Sequence, residues 1–114
     1  MPKILFVDDE KLLHDMLRAQ VPNFEIVSAF GQRDAIILFE EHQDSLDAIV
    51  LDGNLKPGYG HELARIFRHR GFKKPMIAAS SESQLNGYLV RDGCDHRVEK
   101  KRNIGSKLRE LFPG

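Results

Sequence analysis

The sequence predicts an α/β domain, a parallel sheet covered by helices on both faces, and three observations carry that expectation. Strand-like runs of aliphatic and β-branched residues alternate five times with segments whose apolar residues return at three- and four-residue steps. The central runs are continuously apolar, which fits strands buried on both faces and not the alternating pattern of a half-exposed sheet. Several of them stop abruptly on acids or hydroxyls, and in open α/β sheets the strand carboxyl ends are where chemistry is placed.

The first run, Lys3 to Val7, ends on Asp8-Asp9-Glu10. Leu12, Leu13, Met16, Leu17 and Val21 then mark one buried helix face, which Pro22 ends. Phe24 to Ala29 reads as the second strand, and Gly31 opens a second helix carried by Ala35, Ile36, Leu38 and Phe39 to about His42. The third run, Ala48-Ile49-Val50-Leu51, stops on Asp52 and Gly53, so Asp52 is expected at the end of the most central strand. Gly53 to Tyr59 is turn material, and Leu63, Ile66 and Phe67 carry the third helix as far as Gly71. Pro75 to Ala79 is the fourth strand and ends on Ser80-Ser81. Leu85, Tyr88 and Leu89 space a fourth helix that Gly93 closes, although Gly87 weakens it by ~1 kcal/mol relative to Ala. Asp95 to Lys100 is expected as an edge strand, because only Val98 is strongly apolar and polar side chains there discourage edge-to-edge pairing. Ile104, Leu108 and Leu111 give a short last helix. The expected topology is flavodoxin-like and doubly wound, five parallel strands in the order 2-1-3-4-5 with five helices, and its switch point lies between the strands that end in Asp8-Asp9 and in Asp52.

A chain of 114 residues is close to the commonest domain size, so residues 1–114 read as one domain, and Pro113-Gly114 looks like the start of a linker in a longer protein. Lys and Arg number 17, as do Asp and Glu, which leaves no net field to recruit nucleic acid or an anionic membrane; neither is an expected partner. The single cysteine, Cys94, excludes an internal disulfide and a cysteine-based zinc site, favours a reducing cytoplasmic setting, and is expected to pack as a small hydrophobe. No apolar run approaches the ~20 residues of a membrane span. The five histidines, His14, His42, His61, His69 and His96, show no metal-ligand spacing and are expected at the surface. Arg91, Arg97, Lys100, Lys101 and Arg102 are expected to form a solvated basic face.

Asp8, Asp9 and Asp52 converging at one sheet edge would repel one another unless a cation neutralised them. Oxygen-only ligation points to Mg²⁺, which is commonly held by one or two carboxylates together with phosphate oxygens. The fourth strand adds a hydroxyl, Ser80, and the fifth an ammonium, expected from Lys100. Acid pair, carboxylate, hydroxyl and lysine at the ends of strands one, three, four and five suit phosphoryl transfer. A flavin or dinucleotide site would instead need a Gly-rich phosphate-binding loop, and no G-x-G-x-x-G occurs.

On these residues the chain resembles the receiver domain of bacterial two-component response regulators, over essentially its whole length. The matching positions are Asp8-Asp9, Asp52 with Leu55 and Gly60 behind it, Pro75 through Ser81, and Gly93-Cys94-Asp95 leading to Lys100. The resemblance implies that Asp52 is the phosphoacceptor, Asp9 the direct Mg²⁺ ligand and Asp8 a ligand through water, with the Asn54 carbonyl completing the metal shell. It implies that Ser80 hydrogen-bonds the phosphoryl group, that Lys100 pairs with Asp52 or a phosphoryl oxygen, and that Asn54 and Glu82 tune the phosphoryl lifetime. The implied partners are a sensor histidine kinase or phosphotransfer protein and an output domain or downstream protein, with a homodimer as a further option. Such a domain catalyses only its own phosphotransfer and dephosphorylation.

Three positions depart from the pattern. Lys101 stands where a proline usually follows the lysine, Lys56 stands where a proline usually follows the phosphoacceptor with Pro57 one place late, and Arg97 replaces the aromatic of the fifth strand. They keep open a receiver that no longer switches and serves as a constitutive interaction or dimerisation module. A haloacid-dehalogenase-like phosphatase fits less well, because Asp8-Asp9-Glu10 lacks the D-x-D spacing and the chain leaves no room for a cap domain.

Overall fold

The computed structural model describes residues 1–114. Strands β1 (Lys3–Val7), β2 (Glu25–Ala29), β3 (Ala48–Leu51), β4 (Met76–Ala78) and β5 (His96–Arg97) form one parallel sheet in the order β2-β1-β3-β4-β5. Helices α1 (Lys11–Gln20), α2 (Gln32–His42), α3 (Gly60–His69), α4 (Ser83–Arg91) and α5 (Ile104–Leu111) connect and cover it, and a 3₁₀ turn over Lys101–Asn103 leads into α5. This is the flavodoxin-like doubly wound sheet that the alternation predicts.

Successive strand residues point to opposite faces, and that alternation divides the core in two. Leu5, Val7, Ile49, Leu51, Met76 and Ala78 pack with Phe39, Leu63, Phe67 and Leu89 under α2, α3 and α4. Ile4, Phe6, Ala48, Val50, Ile77 and Ala79 face the other way, onto Leu17, Ile104 and Leu108 of α1 and α5. Cys94 lies in the first cluster as a buried small side chain.

Register sets the level of the strand ends. Val7 pairs with both Ala29 and Leu51, and Leu51 pairs with Ala78. The ladder continues one residue further, with Asp8 N–H donating to Ala29 O (3.1 Å), Asp52 N–H to Val7 O (2.9 Å) and Ala79 N–H to Leu51 O (2.9 Å). Asp8, Asp52 and the residues just before Ser80 are therefore level at one edge.

The fifth strand is shorter than the expected 95–100. Only His96 and Arg97 pair fully, and Val98 N–H still donates to Ala78 O at 2.8 Å, after which Glu99 and Lys100 are exposed. No helix is long and apolar enough to cross a membrane.

Candidate phosphoryl-transfer site

At the level strand ends, Asp8 is fully buried and Asp52 is 4% exposed. The lysine that meets them is Lys101: its Nζ donates to Asp8 Oδ2 at 2.9 Å and stands 3.2 Å from Asp52 Oδ1. The expectation of Lys100 is therefore corrected, because Lys100 is exposed and neither carboxylate pairs with it. The cause is local: sheet bonding stops after Val98, so strand alternation no longer aims the side chains. The 3₁₀ turn, closed by Asn103 N–H on Lys100 O (2.8 Å), then rolls Lys101 back over the sheet edge. The Lys100–Lys101 peptide is trans, and Lys56–Pro57 is the one cis bond.

Burial and the neighbouring Asp8 carboxylate push the Asp52 carboxyl up to about 6, against the opposing pull of Lys101 and the Gly53 N–H. Burial works against the Lys101 charge, but Asp8 and Asp52 more than offset it and hold the ammonium above its ordinary value. Asp52 Oδ1 accepts from Gly53 N–H (2.8 Å) and pairs with Lys101, whereas Oδ2 takes no protein donor and is not among the buried unpartnered atoms. Oδ2 is thus the carboxylate oxygen without a protein partner.

Two glycines let the chain close around Asp52. A Cβ on Gly60, the first residue of α3, would lie 1.8 Å from the Asp52 carbonyl oxygen. A Cβ on Gly53 would lie 2.6 Å from Leu85 Cβ and 3.0 Å from Ser80 Oγ, so the backbone beside Asp52 rests directly against Ser80. The intervening loop is tied by Gly60 N–H on Gly53 O (3.0 Å), Leu55 N–H on Gly58 O (3.1 Å) and the bridge between Asn54 and Tyr59.

Ser80 is 2% exposed, and its Oγ accepts the Glu82 N–H at 3.1 Å, which leaves the hydroxyl proton available for another acceptor. Its peptide is held by a residue that the sequence did not single out. Asn86 Oδ1 accepts Ser80 N–H and Asn86 Nδ2 donates to Ser80 O, both at 2.8 Å. Arg97 is exposed, bonded to Glu99 and to Ser83.

His14 also departs from expectation: it is fully buried, not at the surface. Its ring lies between Phe6 and Phe30, at centroid distances of 4.5 and 4.4 Å. Nε2 is 2.8 Å from the Asp8 carbonyl, which can only accept, so Nε2 carries the proton and Nδ1 accepts from the Ser28 hydroxyl at 2.8 Å. Ser28 Oγ in turn accepts from Arg18 at 2.6 Å. Burial holds the imidazole below its ordinary pKa, chiefly against the pull of Asp8. The other four histidines are partly or fully exposed. A polar residue set on the apolar face of a helix was the available signal for both His14, beside Leu13 and Leu17, and Asn86, beside Leu85 and Leu89.

Asp8, Asp9 and Glu10 can each bring a carboxylate oxygen within 4.8 Å of the others. An all-oxygen, anionic donor set fits Mg²⁺. Asp8 is already engaged through both oxygens, Oδ1 by Glu10 N–H (2.9 Å) and Oδ2 by Lys101, whereas Asp9 is exposed.

No protein-family model matches the chain. Solved structures do. The response regulator protein TrrA from Thermotoga maritima, in complex with Mg²⁺ and BeF, superposes with a TM-score of 0.84 at 24% identity, over 98% of this chain and all of that one (100%). CheY of Borrelia burgdorferi, from a complex with CheX, BeF3 and Mg²⁺, gives 0.83 at 18% identity over 99% of this chain and 90% of that one. Chemotaxis protein CheY4 of Vibrio cholerae gives 0.83 at 19% identity over 98% and 99%. The chain has the fold of response-regulator receiver domains.

Proposed function

We propose that residues 1–114 act as one Mg²⁺-dependent phosphoacceptor signalling domain. Asp52 takes a phosphoryl group from a partner histidine kinase or phosphotransfer protein, and the change switches an output domain or downstream protein. The observation that most supports this reading is the Asp52 carboxylate itself, with Oδ1 fixed by Gly53 N–H and Lys101 and Oδ2 open. Oδ2 attacks phosphorus in line. The P–N bond to the donor imidazole breaks, and the imidazole leaves with the electron pair and takes a proton from solvent.

Lys101 stays charged and faces the charge that spreads over the phosphoryl oxygens, and Ser80 turns its free hydroxyl proton toward one of them. Mg²⁺, when bound, would supply the remaining neutralising charge. Asp9 and Asp52 would hold it directly, Asp8 through water, and the Asn54 carbonyl would complete the set. Water later cleaves the acyl phosphate and resets the domain.

The test is incubation with acetyl phosphate, with and without Mg²⁺, followed by intact mass measurement. One hydroxylamine-labile phosphoryl group that requires Mg²⁺ and is absent from Asp52→Asn is expected. Equal uptake by Asp52→Asn overturns the assignment, and no uptake by the wild type leaves the constitutive interaction module as the better account.

A further inference from the structure

Asn86 is a fully buried polar side chain on α4, and both ends of its amide are committed to the main chain of Ser80. The second Nδ2 proton reaches toward Val98 O and Glu99 Oε2, each at 3.4 Å. Glu99 carries the Arg97 guanidinium on its other oxygen, and Arg97 also bonds the Ser83 carbonyl and hydroxyl at the start of α4, both at 3.2 Å. A continuous polar chain thus runs from the site hydroxyl residue through Asn86 and Glu99 to an exposed cation. Buried amides are placed at a cost unless all their groups are satisfied, and here satisfaction requires Ser80, Val98 and Glu99 to keep their relative positions.

We infer that Asn86 is the positioning residue of Ser80, and that it makes the exposed Arg97–Glu99 pair the surface at which occupancy of the site is felt. The inference rests on the phosphoacceptor reading for what occupies the site. If Ser80 moves toward a phosphoryl oxygen, its peptide pulls on the Asn86 amide. The Nδ2 bonds to Val98 and Glu99, just past β5, then lengthen or shorten, and Glu99 re-sets its bond to Arg97. If Arg97 is instead engaged by an acidic group of a partner, Glu99 is freed and the pull runs inward.

Two measurements on ¹⁵N-labelled protein test the link. In metal-free protein, Asn86→Ala should speed hydrogen exchange of the Ser80 amide by about tenfold, the size expected for one lost hydrogen bond, while Ala79, bonded to Leu51, keeps its rate. Should that variant not fold, Glu99→Ala alters only an exposed residue, and it should shift both the Asn86 side-chain NH₂ signals and the Ser80 amide. In the second measurement, Mg²⁺ with beryllium fluoride should move the Gly53 amide and the Arg97 Nε–H signal in the wild type, and in Asn86→Ala the Gly53 amide alone. Ser80 exchange that ignores Asn86→Ala, Ser80 and Asn86 signals that ignore Glu99→Ala, or an Arg97 response that survives Asn86→Ala would overturn the inference. A Gly53 amide that never responds would instead remove the phosphoacceptor reading, and the metal-free measurements would still decide the role of Asn86.

Discussion

Lys101 Nζ stands 3.2 Å from Asp52 Oδ1 while the same ammonium bonds Asp8 Oδ2 at 2.9 Å, so two buried carboxylates share one half-buried cation. Removing it strands both charges. Lys101→Met is expected to cost ~3–5 kcal/mol of stability at neutral pH without metal, the range for breaking a buried ion pair. Lys100→Met, at an exposed position, should stay within ~0.5 kcal/mol. Paired urea denaturation curves check this.

The pH profile should respond in opposite directions to two substitutions. The Asp52 carboxyl is raised from 3.8 to about 6, so its stabilising contribution is complete below 3.8 and is lost as pH rises through 6. Asp52→Asn should therefore be more stable than wild type at pH 7 without metal, by about 1–3 kcal/mol, and the advantage should shrink toward pH 4. His14 is held below the ordinary imidazole value of 6.5, so its contribution is present above 6.5 and is lost on acidification. Relative to wild type, Asp52→Asn makes the acid loss of stability steeper and His14→Gln makes it shallower, as thermal melts across pH 4–7.5 would show.

Glycine substitutions should separate close approach from spare freedom. Gly60→Ala drives a methyl into the Asp52 carbonyl, and a loss of ~3 kcal/mol or more is expected from overpacking against backbone. Gly87→Ala meets nothing within 4 Å in the middle of α4 and should stabilise by up to ~1 kcal/mol.

Asp9→Ala should abolish Mg²⁺-dependent phosphorylation and leave metal-free stability unchanged or raised, because it removes an exposed charge from the cluster with Asp8 and Glu10. A clear fall in the metal-free melting temperature would show that Asp9 has a structural task.

Most of the fold was legible because pattern and burial agree. β1 is Lys3–Val7 as expected, and α2 ends at His42 and α5 at Leu111, where the apolar spacing places them. The level of Asp8, Asp52 and Ser80 at the strand ends was legible for the same reason, since a continuous strand that ends on a polar residue fixes where that residue lies. Lys101 was not, because a Lys-Lys-Arg run beyond the last sheet bond has no periodicity to rank its members. The outcome depends on a 3₁₀ turn that only the tertiary contacts define. His14 and Asn86 were missed because composition treats a polar residue as surface, whereas each is buried with its hydrogen bonds satisfied by main-chain groups or a hydroxyl.

The most direct measurement of the central claim is the position of the acyl phosphate in the chain. After reaction with acetyl phosphate and Mg²⁺, borohydride reduction converts an aspartyl phosphate to homoserine, which peptide sequencing by tandem mass spectrometry locates. Homoserine at position 52 alone, retained in Lys100→Met and lost in Lys101→Met, is the expected result. Homoserine at Asp8 or Asp9, or labelling of position 52 that requires Lys100 and not Lys101, would contradict the account.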